Sequence, residues 1–331
     1  MRDQRIDFIK GMLMWCVVYG HTVDALFGGN PHPPVWLHVF VRTFDLPFFM
    51  ILSGYFLKKS LENRGVWNVA LNRITMIFIP IVIWTLLRGS ANVCGGMYYF
   101  LWAVLVSGMM CVLGYFMASF FPSAIGKWVE AVLYLLILIV LYSVSLPWNL
   151  FYLYPFFVVG YYLRNVNFAF RRLATAAVMV IMAVGLCFWS PDYTPWNIGA
   201  LAWKSDFSAF YVYVYRFLLA LSGVYLMLTV FDAFYAYLGS DSIFVRQVTD
   251  VGRETLAIYI LQAIFVERVL RYGCRIVWGY FSFMNASPVL NLVGYVIAPI
   301  ISFFLLVCLD AISRKIKSYS LLQFAFGFKA R

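Results

Sequence analysis

The segment RIDFIKGMLMWCVVYGHTVDAL, Arg5 to Leu26, is apolar enough to cross a bilayer yet carries Asp7, Lys10, His21 and Asp24. A charged side chain at mid-membrane costs roughly 2.5–3.5 kcal/mol on insertion scales. Either the segment is no membrane span, or those residues are kept for chemistry. An imidazole takes and returns a proton near neutrality, and an ammonium holds an anion as a point charge. On a helix, Lys10 and His21 are eleven positions apart, which gives about three turns, ~20° of drift and ~16 Å of rise. They share one face at different depths. Asp7 lies one turn below Lys10 and Asp24 one turn above His21, so a polar stripe runs along the helix. In lipid such a stripe must face the bundle interior or a wet cavity.

A second segment repeats the device. In VRTFDLPFFMILSGYFLKKS, Arg42 and Asp45 are three apart and can pair, and Ser53 follows on nearly the same face as Arg42. Pro47 frees a backbone carbonyl, which is tolerated where neighbours or water satisfy it. Taken singly, each residue has a plainer reading. Lys10 then snorkels and orients the chain, His21 is a structural hydrogen-bonding residue, and Arg42 with Asp45 is a packed ion pair. It is the combination on two successive helices that points to a polar channel.

The rest of the chain supplies the elements that must position these groups. Of 331 residues, 64% are hydrophobic, 20% aromatic and only 12% charged, and the mean hydropathy is +0.85. A soluble domain is about 25% charged and less than half apolar. The expected class is an all-α polytopic integral membrane protein. Apolar runs of roughly 16–25 residues place ten spans near 8–27, 35–57, 70–88, 97–121, 128–146, 148–163, 173–190, 207–231, 255–278 and 287–309. That makes residues 1–312 one membrane domain and 313–331 a basic, aromatic tail suited to the inner membrane surface. The first span has basic residues before an apolar run, as a signal peptide does, but no small-residue cleavage site, and it reads as a retained helix.

Ten spans put both termini on one side. If that side is the cytoplasm, 18 of the 25 Lys and Arg fall there, as the positive-inside rule requires. The net charge of +11 therefore reads as topology, and nucleic acid is not an expected partner. The six cysteines lie singly, without CxxC pairs or nearby histidines, and predict neither disulfides nor a metal site. The longest polar connections are 190–207, expected outside and rich in aromatic anchors or sugar-stacking rings, and 232–253, expected inside. Arg88, Arg216, Glu267, Arg268 and Arg271 fall toward the outer half. Glu267 and Arg271, at i and i+4, either pair or line an acceptor pocket.

The motif set resembles membrane acyltransferase family 3. RIDFIKGMLMWCVVYGH is similar to the opening of that family's first helix, an acidic residue, then Arg or Lys, ten residues, and His, here Asp7, Lys10 and His21. LPFFMILSGYFL at 46–57 resembles its second-helix signature, and NRITMIFIP at 72–80, with Arg73 and Pro80, the start of its third. Weaker echoes are FLWAVLV at 100–106, YPFFVVGYYLR at 154–164 and VGRETLAIYILQAIF at 251–265. The pattern is most similar to the fucose acetylase-like and exopolysaccharide-modifying branch, which has about ten helices and no appended esterase-like domain. Two positions depart from it. Asp45 stands where many members have His, and Gln262 stands where a late Tyr-Leu-x-His echo has its His.

The resemblance implies transfer of an acetyl or other short acyl group from cytoplasmic acetyl-CoA to hydroxyls of a cell-envelope carbohydrate or lipid-linked glycan, in a bacterial inner membrane and without a metal. On that reading Lys10 and Arg73 hold the donor phosphates, with Lys58, Lys59 and Arg164 as weaker neighbours or topology signals. His21 is the general base, oriented by Asp24 or Asp45, with Asp7 and Arg42 completing the polar stripe. Ser53 and the Gly54 backbone line a thioester channel or serve as a small-residue helix contact. Membrane lipids, a homo-oligomer or a glycan-synthesis complex are the implied partners. The competing readings are a transporter or flippase for a lipid-linked sugar or polar solute, and a non-catalytic assembly partner.

Overall fold

Asp3 begins the first helix, its carboxylate accepting from the backbone N–H groups of Arg5 (3.0 Å) and Ile6 (3.4 Å), which satisfies two of the donors that every helix start leaves open. The computed structural model describes residues 3–27, 35–87, 98–143, 149–164, 172–190, 207–278, 292–319 and 323–326. Among these there is no strand. The helices are α1 Gln4–Leu26, α2 Trp36–Arg64, α3 Val66–Leu87, α4 Tyr99–Ala118, α5 Ser123–Ser143, α6 Leu150–Leu163, α7 Arg172–Cys187, α8 Phe207–Leu238, α9 Ile243–Arg253, α10 Thr255–Ile264, α11 Arg271–Trp278 and α12 Val293–Lys317. Three wide turns of π-helix interrupt them, at Ile74–Phe78 within α3, at Phe265–Leu270 between α10 and α11, and at Val293–Ile297 opening α12. Such bulges re-aim side chains and recur at functional sites; here one follows Arg73 and another holds Glu267.

Among the described residues six helices, α2, α3, α4, α5, α8 and α12, are long and apolar enough to cross a membrane by length and composition. α6 and α7 are apolar but shorter, α1 carries its charges, and the 255–278 run is broken by the wide turn bearing Glu267 and Arg268. The outward surfaces are apolar. On α5, Trp128, Leu135, Leu136, Ile139 and Val140 are exposed while Glu130 and Tyr134 are buried. This reverses the usual arrangement of a soluble helix and suits a lipid-facing one.

The chain divides into two compact units, Met1–Asp45 with Gly223–Arg331, and Leu46–Ser222. In the first, α1 is central. Phe8, Leu13, Met14, Val17, Val18 and Val23 are fully buried, and so is Asp7. A helix buried on all sides must approach its neighbours closely, and glycines permit it. A Cβ on Gly11 would fall on the Val248 carbonyl oxygen of α9, and one on Gly252 on the Asp7 carbonyl oxygen of α1. Tyr19 donates to the Gly294 carbonyl (3.0 Å) and Trp15 to Ser302 Oγ (3.0 Å), tying α1 to α12.

The expected polar connection at 232–253 is largely helical. α8 continues to Leu238, Gly239 turns the chain at φ +76°, and α9 follows, burying Val245, Val248 and Val251 at helical spacing. α12 likewise runs past the expected boundary at 312 to Lys317, which pairs with Glu254. In the tail Phe326 is buried.

In the second unit, α2 and α6 cross where a Cβ on Gly54 would meet the Phe157 carbonyl and one on Gly160 the Ile51 carbonyl. Gly54 is therefore a helix contact. Pro155 in α6 cannot donate to the Phe151 carbonyl, and Tyr213 Oη bonds that oxygen at 3.4 Å. The turn residues 144–148, Arg88 and most of the 190–207 connection lie outside the described residues.

The α1/α9 crossing sets a stability test. Gly252→Ala should lose about 1–3 kcal/mol, because the new methyl meets backbone that cannot swing aside. Gly273→Ala, with open space around it, should melt like the parent or slightly higher. Thermal unfolding in detergent reads both, and equal melting of the two variants would contradict the crossing.

Candidate functional site

The polar stripe of α1 is enclosed within the first unit. Nδ1 of His21 stands 3.1 Å from Oε1 of Glu267, which the wide turn after α10 carries. Both side chains keep 16% of their surface accessible. The contact is a charge attraction and not an aligned hydrogen bond; a carboxylate at this distance favours a proton on Nδ1, the tautomer that leaves Nε2 basic. Among the described residues the ring makes no other ion pair, though Asp24, Arg42, Arg271 and His38 are its charged or ionisable neighbours.

Asp24 is engaged otherwise. One of its oxygens lies 3.0 Å from Nε2 of His38, near enough for charge attraction though off the line of an aligned hydrogen bond. The other accepts from Arg42. Arg42 also donates to Asp45 at 3.2 Å, so one guanidinium spans two carboxylates. Gly20 makes room for it, since a Cβ there would sit 2.9 Å from the guanidinium carbon. Asp24 and Asp45, expected to orient His21, thus serve Arg42 and His38, and the imidazole is met by Glu267. His38, buried at the start of α2, was not singled out by the sequence. Its signal was a second histidine near the head of a polar-striped helix.

Lower on α1, Lys10 lies 2.8 Å from Asp7, and Arg253 stands 3.7 Å from the other Asp7 oxygen. Arg5 pairs with Asp232, and Arg314 bridges Asp310 and Asp250. This end of the unit is an ion-pair network in which Lys10 already faces a carboxylate.

The second unit holds the other candidates. Arg73 reaches the carbonyls of Val104 (3.4 Å) and Ser53 (3.5 Å), both at the long limit of a hydrogen bond, and lies over the Phe157 ring. Gly108 leaves it space. Arg73, Ser53, Ser60, Arg64 and Asn72 line a cavity of about 250 Å³, and two guanidiniums with hydroxyls and an amide are a donor set suited to phosphate oxygens. Lys58 belongs to a different cluster. It bonds Tyr161 Oη at 3.0 Å, lies 3.9 Å from buried Glu130 and packs on the rings of Tyr115 and Tyr161. Glu130 also accepts from Tyr134 (3.0 Å) and Tyr161. Lys59 is exposed, and Arg164 lies over the Tyr55 ring.

Among the buried side-chain polar groups without hydrogen-bond partners within the described residues are the amide of Gln262 and two guanidinium nitrogens of Arg216. The described residues contain no cluster of three metal-ligating side chains.

A family model described as "Acyltransferase domain" (acyltransferase 3) matches residues 3–310. The chain belongs to this acyltransferase family, and its apolar helices make it a multi-pass membrane protein. It is similar to the nodulation protein NolL of Sinorhizobium fredii (strain NBRC 101917 / NGR234), with 26% identity over 225 residues, 59% of this chain and 60% of that protein. It is also similar to the nodulation protein NolL of Mesorhizobium japonicum (strain LMG 29417 / CECT 9101 / MAFF 303099), with 24% identity over 183 residues, 48% of this chain and 47% of that protein. The chain thus spans about half to three fifths of the length of these relatives. No solved structure matches it.

Removing Arg42 leaves Asp24 and the buried Asp45 without their shared cation. Arg42→Ala should therefore cost about 3–5 kcal/mol, read as earlier unfolding in detergent. Wild-type unfolding would show that the carboxylates do not depend on it.

Proposed function

We propose that this protein is an integral membrane O-acyltransferase that moves an acetyl or other short acyl group from cytoplasmic acyl-CoA to a hydroxyl of a cell-envelope carbohydrate or lipid-linked sugar. The observation that carries this reading is the His21–Glu267 pair, an imidazole with a carboxylate 3.1 Å from its Nδ1; in this reading Nε2 serves the acceptor. Family membership supports acyl transfer as the reaction class. A bacterial inner membrane is the location the resemblance favours.

In this mechanism Nε2 of His21 takes the proton from the acceptor hydroxyl as its oxygen attacks the thioester carbonyl. The C–O bond forms, the C–S bond breaks, and the imidazolium returns its proton to the departing thiolate. Glu267 fixes the ring and offsets its transient positive charge, as carboxylates do in other acyl-transfer sites. Arg42 is paired with both Asp24 and Asp45, and the Asp24 carboxylate also lies in the charge environment of the ring.

The donor's phosphates need several cationic contacts. Of the candidates, Arg73 and Ser53 line a cavity with Arg64 beside them, so phosphate recognition falls first to Arg73. Lys10 and Lys58 each face a carboxylate, Asp7 and Glu130, and contribute to the donor's charge environment through those pairs.

Washed membranes holding wild type, His21→Ala, Glu267→Ala or the double variant at matched levels should be given acetyl-labelled acetyl-CoA. Label counted in extracted envelope glycolipid should appear with wild type and fall at least 100-fold with each single variant. The double variant should lose little more than either single, because the two residues act as one unit. Equal labelling by wild type and His21→Ala would sink His21 as the base. Absence of label with correctly folded wild type would move the protein toward transport.

A further inference from the structure

Beside the His21–Glu267 pair lies an open cleft of about 590 Å³ lined by Glu267, Arg268, Val269, Arg271, Tyr272 and Arg275. Glu267 is the shared element, since one of its faces holds His21 and another walls the cleft. Arg271 and Arg275 lie one turn apart on α11, Arg268 precedes them in the wide turn, and all three line the cleft. Among the described residues none of the three is in a salt bridge, and Nε of Arg271 is buried without a hydrogen-bond partner. Elsewhere in the unit Arg5, Arg42, Arg253 and Arg314 each face at least one carboxylate, whereas exposed Arg246, like these three, has no salt bridge among the described residues.

Arg268 and Arg275 are exposed and Arg271 half-buried, so the three present a positive surface to the cleft without an ion-paired carboxylate among the described residues. Guanidinium forks match the paired oxygens of phosphate and carboxylate. Tyr272, largely exposed at the cleft edge, adds a flat apolar surface of the kind a sugar ring covers.

Resting on the acyltransferase reading above, we propose that the cleft is the acceptor site and that the acceptor is an anionic glycan or glycolipid. Its phosphate or carboxylate is held by Arg268, Arg271 and Arg275, and this places a hydroxyl at Nε2 of His21. Glu267 lies beside the base and also lines the cleft, where its single negative charge is outnumbered by the three guanidiniums.

The test uses the full chain in neutral phosphatidylcholine nanodiscs and three probes with one alkyl chain length, decyl glucoside, decyl glucuronide and glucosyl decyl phosphate. Binding is followed by tryptophan fluorescence. Wild type and His21→Ala should both bind the two anionic probes at least ten-fold more tightly than the glucoside. Arg271→Gln and the double variant Arg268→Gln/Arg275→Gln should erase that preference, and Arg271→Lys should restore part of it, which separates charge from loss of fold. No preference in wild type, or a preference indifferent to the arginines, overturns the proposal. Displacement of the anionic probes by phosphatidylglycerol at equal lipid fraction also overturns it, assigning the cleft to a lipid headgroup. The acetyl-labelling assay is scored separately. Anion preference without transfer sinks the enzyme reading and leaves the site, whereas transfer without anion preference sinks the site alone.

Discussion

The cost of placing charge where water is scarce governs this structure. The first helix carries Asp7, Lys10, His21 and Asp24 through the middle of an apolar unit, and each is met by a partner of suitable chemistry. A lone charge would be expelled or neutralised. The partners come from α2, from α9 and from the wide turn after α10, so satisfying α1 fixes where those elements lie within their unit. The glycines follow from the same need. Gly11 and Gly252 let α9 approach until Arg253 reaches Asp7, and Gly20 lets Arg42 lie against α1.

The two sets of polar groups on α1 are separated by apolar residues from Gly11 to Gly20, nearly all buried. At one end the charges close on themselves in a network of at least four acidic and four basic side chains. At the other, Arg42 closes on two aspartates, while His21 pairs with Glu267, which also lines an arginine-bearing cleft. The first end has the chemistry of a clasp and the second that of a reaction centre. The second unit repeats the contrast, with Lys58 enclosed by Glu130 and tyrosines, and Arg73 reaching only two long contacts beside a cavity.

Much of this was legible in the sequence because helix periodicity is local. The stripe of Asp7, Lys10, His21 and Asp24 and the Arg42–Asp45 pair follow from spacing. The partner of His21 was not legible. Glu267 lies far away in sequence, and its i+4 neighbour Arg271 offered a simpler pairing; only the wide turn brings the carboxylate to the imidazole. His38 was hidden among the aromatic residues that open α2. The 232–253 region read as a polar connection because Arg246, Asp250 and Arg253 dominate its composition, yet Val245, Val248, Val251 and Gly252 give it one apolar face, and that face seats it on α1.

The central claim is that Glu267 holds the proton of His21 on Nδ1 and so leaves Nε2 as the base. Nitrogen chemical shifts of selectively labelled histidine, with His21→Gln used to assign its resonances, read this directly at neutral pH in wild type and in Glu267→Ala. The account predicts a neutral ring protonated at Nδ1 in wild type and loss of that tautomer in the variant. A ring protonated at Nε2 in wild type, or a tautomer unchanged by removing Glu267, would contradict it.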